Sequence, residues 1–224
     1  MTRALSSSRA GWWLILALIV AFAVQMVVVN ALPVATQTTL LAEGGFYENL
    51  SVVGYLLCIV ALVWTLRGAV LRVWYLPLVL AVMAARELDL DKSLFTRGLF
   101  KARQYTGEGV PLVAALILAS IVTAIFLMLW RHARPYLSAL WHGRAWAGAV
   151  LMGIGFTVAY KLLDGIARKL APLGIEISAD AERTAFVVEE IGELGIPVMF
   201  LAAILLWPGP SLTTAHPTNR AHRV

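Results

Sequence analysis

Three glutamates stand close together in the last apolar stretch of the chain, at Glu189, Glu190 and Glu193. On an α-helix, which turns by ~100° per residue, these positions fall within an arc of about 100° and share one face. The run 185–207 contains no other ionisable side chain. Ionised carboxylates in so apolar a run each need a cation, a metal or a proton as partner. The sequence therefore predicts a polar site on this helix.

Pro197 follows Glu193 by four residues. Because proline has no backbone N–H, the carbonyl of Glu193 loses the hydrogen bond that a regular helix would give it. The pattern predicts an additional oxygen acceptor beside the carboxylates. Interrupted helices at polar positions are typical of the ion sites of transporters.

A second set of ionisable residues, Lys161, Asp164 and Arg168, is spaced by three and four positions. Residues at this spacing line one face of a helix. We expect Glu190 and Glu193 to face Asp164 and its basic neighbours across the interior of a helical bundle, away from lipid. Such pairing would neutralise the glutamates without water.

Two further apolar runs bring charged groups to the same depth, because Glu48 lies at the start of one and Arg86 and Glu87 end another. Four helices are therefore predicted to contribute to the site. The candidate ion or metal ligands are Glu48, Glu87, Asp164, Glu189, Glu190 and Glu193, and the candidate charge partners are Lys161, Arg168 and Arg86. A structural network of ion pairs that locks the bundle remains the alternative.

Ligand chemistry narrows the identity of a bound ion. The four histidines, at positions 132, 142, 216 and 222, are expected on the opposite side of the membrane from the carboxylates. A set of oxygen ligands alone favours a proton or a divalent cation such as Mg²⁺, Mn²⁺ or Ca²⁺. Zinc prefers nitrogen and sulfur ligands and is not expected.

The elements that position these residues are hydrophobic segments. The chain has 224 residues, of which 60% are hydrophobic and 14% charged, with a mean hydropathy of +0.81. Soluble domains average roughly 45–50% apolar and ~25% charged residues. The composition predicts an all-α integral membrane bundle that forms one domain over residues 1–224. The basic residues are scattered between apolar runs and indicate no nucleic-acid partner.

Six apolar runs approach the ~20 residues that a transmembrane helix requires. They predict spans at 11–33, 46–66, 73–85, 111–130, 145–161 and 185–207, of which the third is the shortest. Lys and Arg divide equally between the two sides. The first span decides the orientation, because Arg3 and Arg9 precede it and no basic residue stands in the loop that follows it. We expect a multi-pass protein with both termini in the cytoplasm.

The stretch 86–105, RELDLDKSLFTRGLFKARQY, combines apolar residues with Arg97, Lys101 and Arg103. This mixture predicts an amphipathic segment that lies along the outer headgroup layer. The three basic side chains are candidates for contact with lipid headgroups, and membrane lipids are expected partners.

The same stretch carries a family resemblance. Arg86-Glu87-Leu88-Asp89 before Lys92 and Phe95-Thr96, then Phe100-Lys101-x-Arg103, and finally Glu189-Glu190-x-x-Glu193-Leu194 resemble segments of a group of small bacterial multi-pass inner-membrane proteins. The resemblance covers most of the chain. It implies the bacterial inner membrane as the location, and it implies no activity.

Three functions are compatible with the sequence. The first is an accessory or structural membrane protein that binds a membrane-protein partner. The alternatives are a cation- or proton-coupled transporter and a metal-dependent enzyme acting on a membrane lipid. The sequence has no Gly-x-Ser-x-Gly, phosphate-loop or His-Glu-x-x-His motif, so it nominates no catalytic residue and leaves enzymatic activity open.

Overall fold

The computed structural model describes residues 9–42, 44–95, 99 and 112–209, and every regular element within them is a helix. The predicted all-α class is confirmed. In chain order the α-helices are α1 (Arg9–Asn30), α2 (Val34–Leu40), α3 (Phe46–Leu66), α4 (Tyr75–Glu87), α5 (Leu90–Leu94), α6 (Leu112–Trp141), α7 (Ala145–Leu163), α8 (Ile166–Leu170) and α9 (Ala179–Leu206). Short 3₁₀ segments cover Arg67–Val73 and Ala171–Leu173.

Four of these helices are long and apolar enough to cross a membrane. They are α1, α3 with its 3₁₀ extension, α6 and α7, which span 22, 28, 30 and 19 residues. Large apolar side chains also cover their outer surfaces: Trp64 is 79% exposed, Trp130 77% and Val27 70%. Lipid tails cover such side chains in a bilayer, so these helices are compatible with a membrane protein.

The other two predicted spans each fail one of the two criteria, which are length and apolar composition. Helix α4 has 13 residues, or about 20 Å at 1.5 Å per residue, which is less than the ~30 Å of the hydrocarbon core. Helix α9 has 28 residues, but it contains the three glutamates at 189, 190 and 193. The structure thus gives four candidate spans among the described residues where the sequence predicts six.

Little of the predicted amphipathic segment lies within the described residues. The short helix α5 and Phe95 and Leu99 are described, whereas Arg97, Lys101 and Arg103 lie outside the described residues. Leu99 is buried with Ala114 and Ile121 of α6, so this leucine contacts protein. Contact between the basic residues and lipid headgroups stays a prediction.

Helix α6 continues beyond the predicted end of the fourth span at residue 130, through Pro135, to Trp141. His132, which lies beyond the predicted end of that span, is therefore a helical residue. Its Nε2 atom lies 2.8 Å from the hydroxyl of Tyr75, which is fully buried at the start of α4. A hydrogen-bond partner on another helix explains why this histidine faces the protein.

Contacts between helix ends define two ends of the bundle. At one end the indole N–H of Trp12 donates to the carbonyl of Gly143 at 3.0 Å, and Tyr75 meets His132. This tryptophan end collects the starts of α1, α4 and α7 and the ends of α3, α6 and α9. All eight tryptophans belong to it: Trp12, Trp13, Trp64, Trp74, Trp130, Trp141, Trp146 and Trp207. Tryptophan is typical of membrane interfaces.

At the opposite end Thr184 at the start of α9 donates to the side-chain oxygen of Asn30 at 3.2 Å, and Arg86 at the end of α4 donates to Tyr160 near the end of α7. Every Asp and Glu in the described part of the chain belongs to this carboxylate end, and Glu193 at the middle of α9 is the deepest. Successive long helices therefore alternate in direction.

Helix α9 is the centre of the bundle and packs against α7, α3 and α1. Small residues permit this close approach. A side chain at Gly195 would meet the ring of Phe156 on α7 at 3.1 Å, and one at Gly54 on α3 would meet the ring of Pro197 at 2.9 Å. The thiol of Cys58 donates to the carbonyl of Pro197 at 3.2 Å. Pro197 thus docks directly on α3.

Substitution of Gly54 by alanine tests this contact. A methyl group there overlaps Pro197, which is fully buried, so we expect Gly54→Ala to cost about 1–3 kcal/mol through overpacking. Gly155→Ala on α7 is the matched control, because no atom lies within 4 Å of its added methyl group and alanine favours a helix by up to ~1 kcal/mol. Denaturation midpoints in detergent, measured at one heating rate, should fall only for Gly54→Ala. Equal midpoints for the two variants would contradict the packing.

Candidate functional site

A hydrogen bond between α4 and α7 anchors the polar groups of the carboxylate end. The guanidinium of Arg86 donates to the hydroxyl of Tyr160 at 3.0 Å and lies 6.0 Å from the centre of its ring. Arg86 occupies the last turn of α4, where the helix dipole favours a cation. The buried tyrosine fixes the guanidinium between the helices.

Two partly buried carboxylates, on α4 and α9, interact electrostatically with this guanidinium. Glu193 of α9 interacts electrostatically with Arg86 and with Glu87 of α4, and Glu87 also interacts with Arg86. The core of the site thus sets two carboxylates against one guanidinium. If both are ionised, the group carries one negative charge more than its cation can neutralise.

Two buried hydroxyls lie on α3, and one of them, that of Tyr55, interacts electrostatically with the same group. Ser51 and Tyr55 are fully buried, and neither hydroxyl has a hydrogen-bond partner among the described residues. Tyr55 interacts electrostatically with Glu87, Glu193 and Arg86. A buried hydroxyl without a partner costs about 1–3 kcal/mol, so these groups favour an additional ligand at this position.

The register of α3 and α9 places Ser51 beside the same group. Both helices run from the carboxylate end toward the tryptophan end, and Gly54 and Cys58 of α3 touch Pro197 of α9. One turn nearer the carboxylate end, α3 presents Ser51 and α9 presents Glu193. The carbonyl of Glu193, which Pro197 leaves without its helical donor, lies at this level.

Glu48 adds a carboxylate at the rim. It lies in the first turn of α3, accepts a hydrogen bond from the backbone N–H of Gly44, and interacts electrostatically with Glu87. The carboxylate also suits the positive end of the helix dipole. Glu48 is therefore partly satisfied by its own chain segment, in contrast with the deeper Glu193.

A second group of charges lies at the end of α7. Lys161 and Asp164 form an ion pair of 2.7 Å, and the ammonium of Lys169 donates to the carbonyl of Lys161 at 2.7 Å. The hydrogen bond from Lys161 lowers the pKa of Asp164 below its ordinary value. Glu189 of α9 interacts electrostatically with Asp164, Lys161 and Lys169. In this group each carboxylate interacts with a lysine of the same group.

The remaining predicted residues take separate places. Arg168 folds over Gly165, whose added side chain would meet the guanidinium at 2.9 Å, and it contributes a positive charge near Asp164. Glu190 interacts with Glu193 and also lines a cleft between α2 and α9. The predicted cluster therefore divides into two groups, and the cation that interacts electrostatically with Glu193 is Arg86, where the sequence suggests Asp164 and its neighbours.

Sequence reasoning missed Ser51, Tyr55 and Tyr160. A signal for the first two exists, because Glu48, Ser51 and Tyr55 are spaced by three and four residues and share one face of α3. Tyr160 lies four residues before Asp164 on the same helix. Hydroxyls in apolar helices are common, so the spacing indicates a polar site only when the residues of the opposing helix are known.

The arrangement bears on the choice of ion. Within the described residues, no three His, Cys, Asp or Glu side chains form a group that could hold a metal ion. The two hydroxyls and the carbonyl of Glu193 add neutral oxygens to a pair of carboxylates. Such a set suits a proton or a single positive charge.

Comparison of the chain with protein-family models, with curated proteins and with solved structures gives no match. The class of protein therefore rests on the chain itself: an all-helical protein with four helices that suit a membrane.

The closed pair at the end of α7 predicts a small dependence of stability on pH. Because the folded-state pKa of Asp164 is lowered, its contribution is present at neutral pH and is lost as the pH falls through that pKa, below about 4. The side chains of Lys161 and Asp164 are 61% and 36% exposed, so Asp164→Asn should cost only a few tenths of a kcal/mol. Denaturation midpoints measured across pH check this. Glu176→Gln, in the exposed connection, is the control, and a cost that grows toward acid pH would refute the pairing.

Proposed function

We propose that this chain is a multi-pass protein of the bacterial inner membrane with six crossings and cytoplasmic termini. The alternating directions of its helices support this arrangement. Helix α9 is about 42 Å long at 1.5 Å per residue, which suffices to cross, and Glu193 faces Arg86 of a neighbouring helix. The tryptophan end would be cytoplasmic and the carboxylate end would face outward.

Labelling with a membrane-impermeant maleimide tests this topology. The native Cys58 is fully buried and should not react. We expect Glu176→Cys, in the exposed connection before α9, to react in intact cells, and His142→Cys, in the exposed turn after α6, to react only after lysis. The reverse pattern would invert the orientation, and reaction of both from one side would contradict the crossing of α7.

We further propose that the group formed by Arg86, Glu87, Glu193 and the hydroxyls of Ser51 and Tyr55 binds one positive charge, a proton or a monovalent cation such as Na⁺. The observation that carries this proposal is the unequal number of carboxylates and guanidinium groups beside two buried hydroxyls. Two carboxylates interact electrostatically with one guanidinium, and two fully buried hydroxyls have no hydrogen-bond partner among the described residues. A bound cation supplies the missing charge and occupies the unpaired oxygens.

Binding of one positive charge by this group favours a cation- or proton-coupled transporter among the three functions. An ion bound on α9 would lie beside the carbonyl of Glu193, which Pro197 leaves without its helical donor. Ion sites of transporters are similarly found at interrupted helices. The second candidate is an accessory or structural protein, and the closed Lys161–Asp164 pair and the Arg86–Tyr160 hydrogen bond favour it. A metal-dependent enzyme would need a ligand set that includes residues beyond these groups.

Neutralisation of Glu193 separates a cation site from a structural lock. Glu193→Gln keeps the shape and removes the surplus charge. If the group binds a cation, the variant should be at least as stable as the parent without Na⁺, and it should lose any response to Na⁺ or protons. If the group is a lock, removal of a paired carboxylate should lower stability at every cation concentration.

The measurement is the denaturation midpoint in detergent, with NaCl replaced by choline chloride at constant ionic strength. A ligand at a hundred times its Kd stabilises the folded state by about 2.7 kcal/mol. If the ion is a proton, acidification should stabilise the parent, because a proton held only by the folded state makes stability fall as pH rises. Glu182→Gln, exposed on the same helix, should respond like the parent. A parent that responds to neither ion, or a response that persists in Glu193→Gln, would overturn the cation site.

A further inference from the structure

Basic side chains collect at the tryptophan end, where the 3₁₀ segment before α4 meets α6. Arg72 of that segment and Arg131 and Arg134 of α6 are exposed. No described Asp or Glu forms an ion pair with any of them, since every described acid lies at the carboxylate end. The described part of the chain therefore leaves these positive charges uncompensated, and they favour an anionic partner.

The guanidinium of Arg131 is held in place by neutral groups. It donates to the backbone carbonyl of Arg72 at 3.3 Å and lies 5.7 Å from the centre of the Tyr75 ring. Tyr75 is fully buried, and its hydroxyl lies 2.8 Å from Nε2 of His132. A guanidinium has several N–H donors, and the carbonyl takes one of them. The fixed guanidinium thus keeps its charge and has further donors for a ligand.

Arg72 and Arg134 border this fixed guanidinium. Arg72 supplies the carbonyl that Arg131 contacts, and Arg134 follows Arg131 by three residues, about 4.5 Å along α6 and about 60° around it. Neither the Arg72 nor the Arg134 side chain has a hydrogen bond, ion pair or ring contact with another described residue. Guanidinium groups bind phosphate oxygens through short charge-assisted hydrogen bonds. Three arginines around one position therefore suit a phosphate group.

An exposed aromatic pair continues the surface along α6, away from the arginines. Phe126, Trp130 and Arg134 are spaced by four residues and fall within an arc of about 80°. The rings of Phe126 and Trp130 stack with centroids 5.9 Å apart, and these side chains are 59% and 77% exposed. This face changes from charged at the tryptophan end to apolar toward the middle of the helix. A phospholipid has the same order from phosphate to acyl chain, and tryptophan is typical of the level between them.

We propose that this surface binds a phospholipid of net negative charge, whose phosphate lies among Arg72, Arg131 and Arg134. An acyl chain then lies along Phe126 and Trp130. Charge complementarity selects the lipid class, because the ammonium of a zwitterionic headgroup would lie among arginines with no described acid to receive it. The site goes beyond the cation site, which lies at the other end of the bundle, and it requires no particular orientation in the membrane.

Competition between lipids tests the proposal on the detergent-solubilised full chain. The protein is incubated with equal amounts of phosphatidylglycerol and phosphatidylcholine that carry the same acyl chains, and retained lipid is measured by native mass spectrometry. We expect the parent to retain phosphatidylglycerol at least about tenfold over phosphatidylcholine, since each basic residue near an anionic headgroup contributes about fivefold. Equal retention of the two lipids would overturn the proposal.

Single substitutions locate the preference. Arg72→Gln and Arg134→Gln each remove a charge but no side-chain contact with another described residue, so the bundle should still fold. We expect each to lower the preference about fivefold. Arg144→Gln is the matched control, because it removes an exposed charge at the same end. The backbone N–H of Arg144 donates to the carbonyl of Ala139, which lies about 12 Å along α6 from Arg131. That separation exceeds the ~8 Å Debye length, so the control should stay within about twofold of the parent.

Two outcomes of the substitutions would refute the site. One is an equal loss of preference in Arg144→Gln, which would show only a diffuse effect of charge. The other is an unchanged preference in both Arg72→Gln and Arg134→Gln. Glu193→Gln should keep the preference, so this site and the cation site can fail independently.

Soluble glycerol phosphate separates a lipid from free phosphate as the source of the ligand. It carries the phosphate but cannot contact the aromatic pair of α6, so it should displace phosphatidylglycerol only at concentrations far above those at which the lipid itself competes. Displacement at the same concentration would refute a lipid ligand, because the aromatic face would then contribute nothing.

Discussion

Glu193 lies at the middle of the largely apolar helix α9, and the need of its carboxylate for polar partners constrains the rotation of α9 about its own axis. A carboxylate near the middle of a bilayer costs about 2.5–3.5 kcal/mol even on insertion scales. Glu193 therefore turns toward Arg86 and Tyr160, and Pro197, one turn further along the same face, turns toward Gly54. The outer faces of the neighbouring helices carry exposed tryptophans and aliphatic side chains.

Packing and electrostatics reinforce each other at this helix. Glycines at positions 54 and 195 let α3 and α7 approach α9 so closely that an added methyl group would clash. The close approach excludes water, and charges interact more strongly where the effective dielectric constant is low. A loosened bundle would weaken the interaction of Arg86 with its carboxylates as much as it would weaken apolar contacts.

The group at the end of α7 and the group around Arg86 differ in how completely their charges are paired. This difference bears on which group has a function beyond stability. Lys161 forms an ion pair with Asp164 at the rim, where water also solvates both side chains, and Lys169 donates to the carbonyl of Lys161. Arg86 interacts electrostatically with both Glu87 and Glu193, near buried hydroxyls on α3 that have no hydrogen-bond partner in the described part of the chain. A group that only locks helices together gains no stability from an unneutralised negative charge. A site that binds and releases a cation requires such a negative charge.

The sequence by itself determined the all-helical class, the apolar surface, the common face of Glu189, Glu190 and Glu193, and the place of Arg86 and Glu87 at the end of a helix. These properties depend on composition and on the 3.6-residue period, which are local. The tertiary structure decided that Arg86 and not Asp164 interacts electrostatically with Glu193, that the hydroxyls of Ser51 and Tyr55 are buried, and that Gln37 lines a cleft. Those facts depend on the rotation and register of separate helices. The contacts of Phe156 with Gly195 and of Pro197 with Gly54 set that rotation and register, and residues far apart in the chain make them.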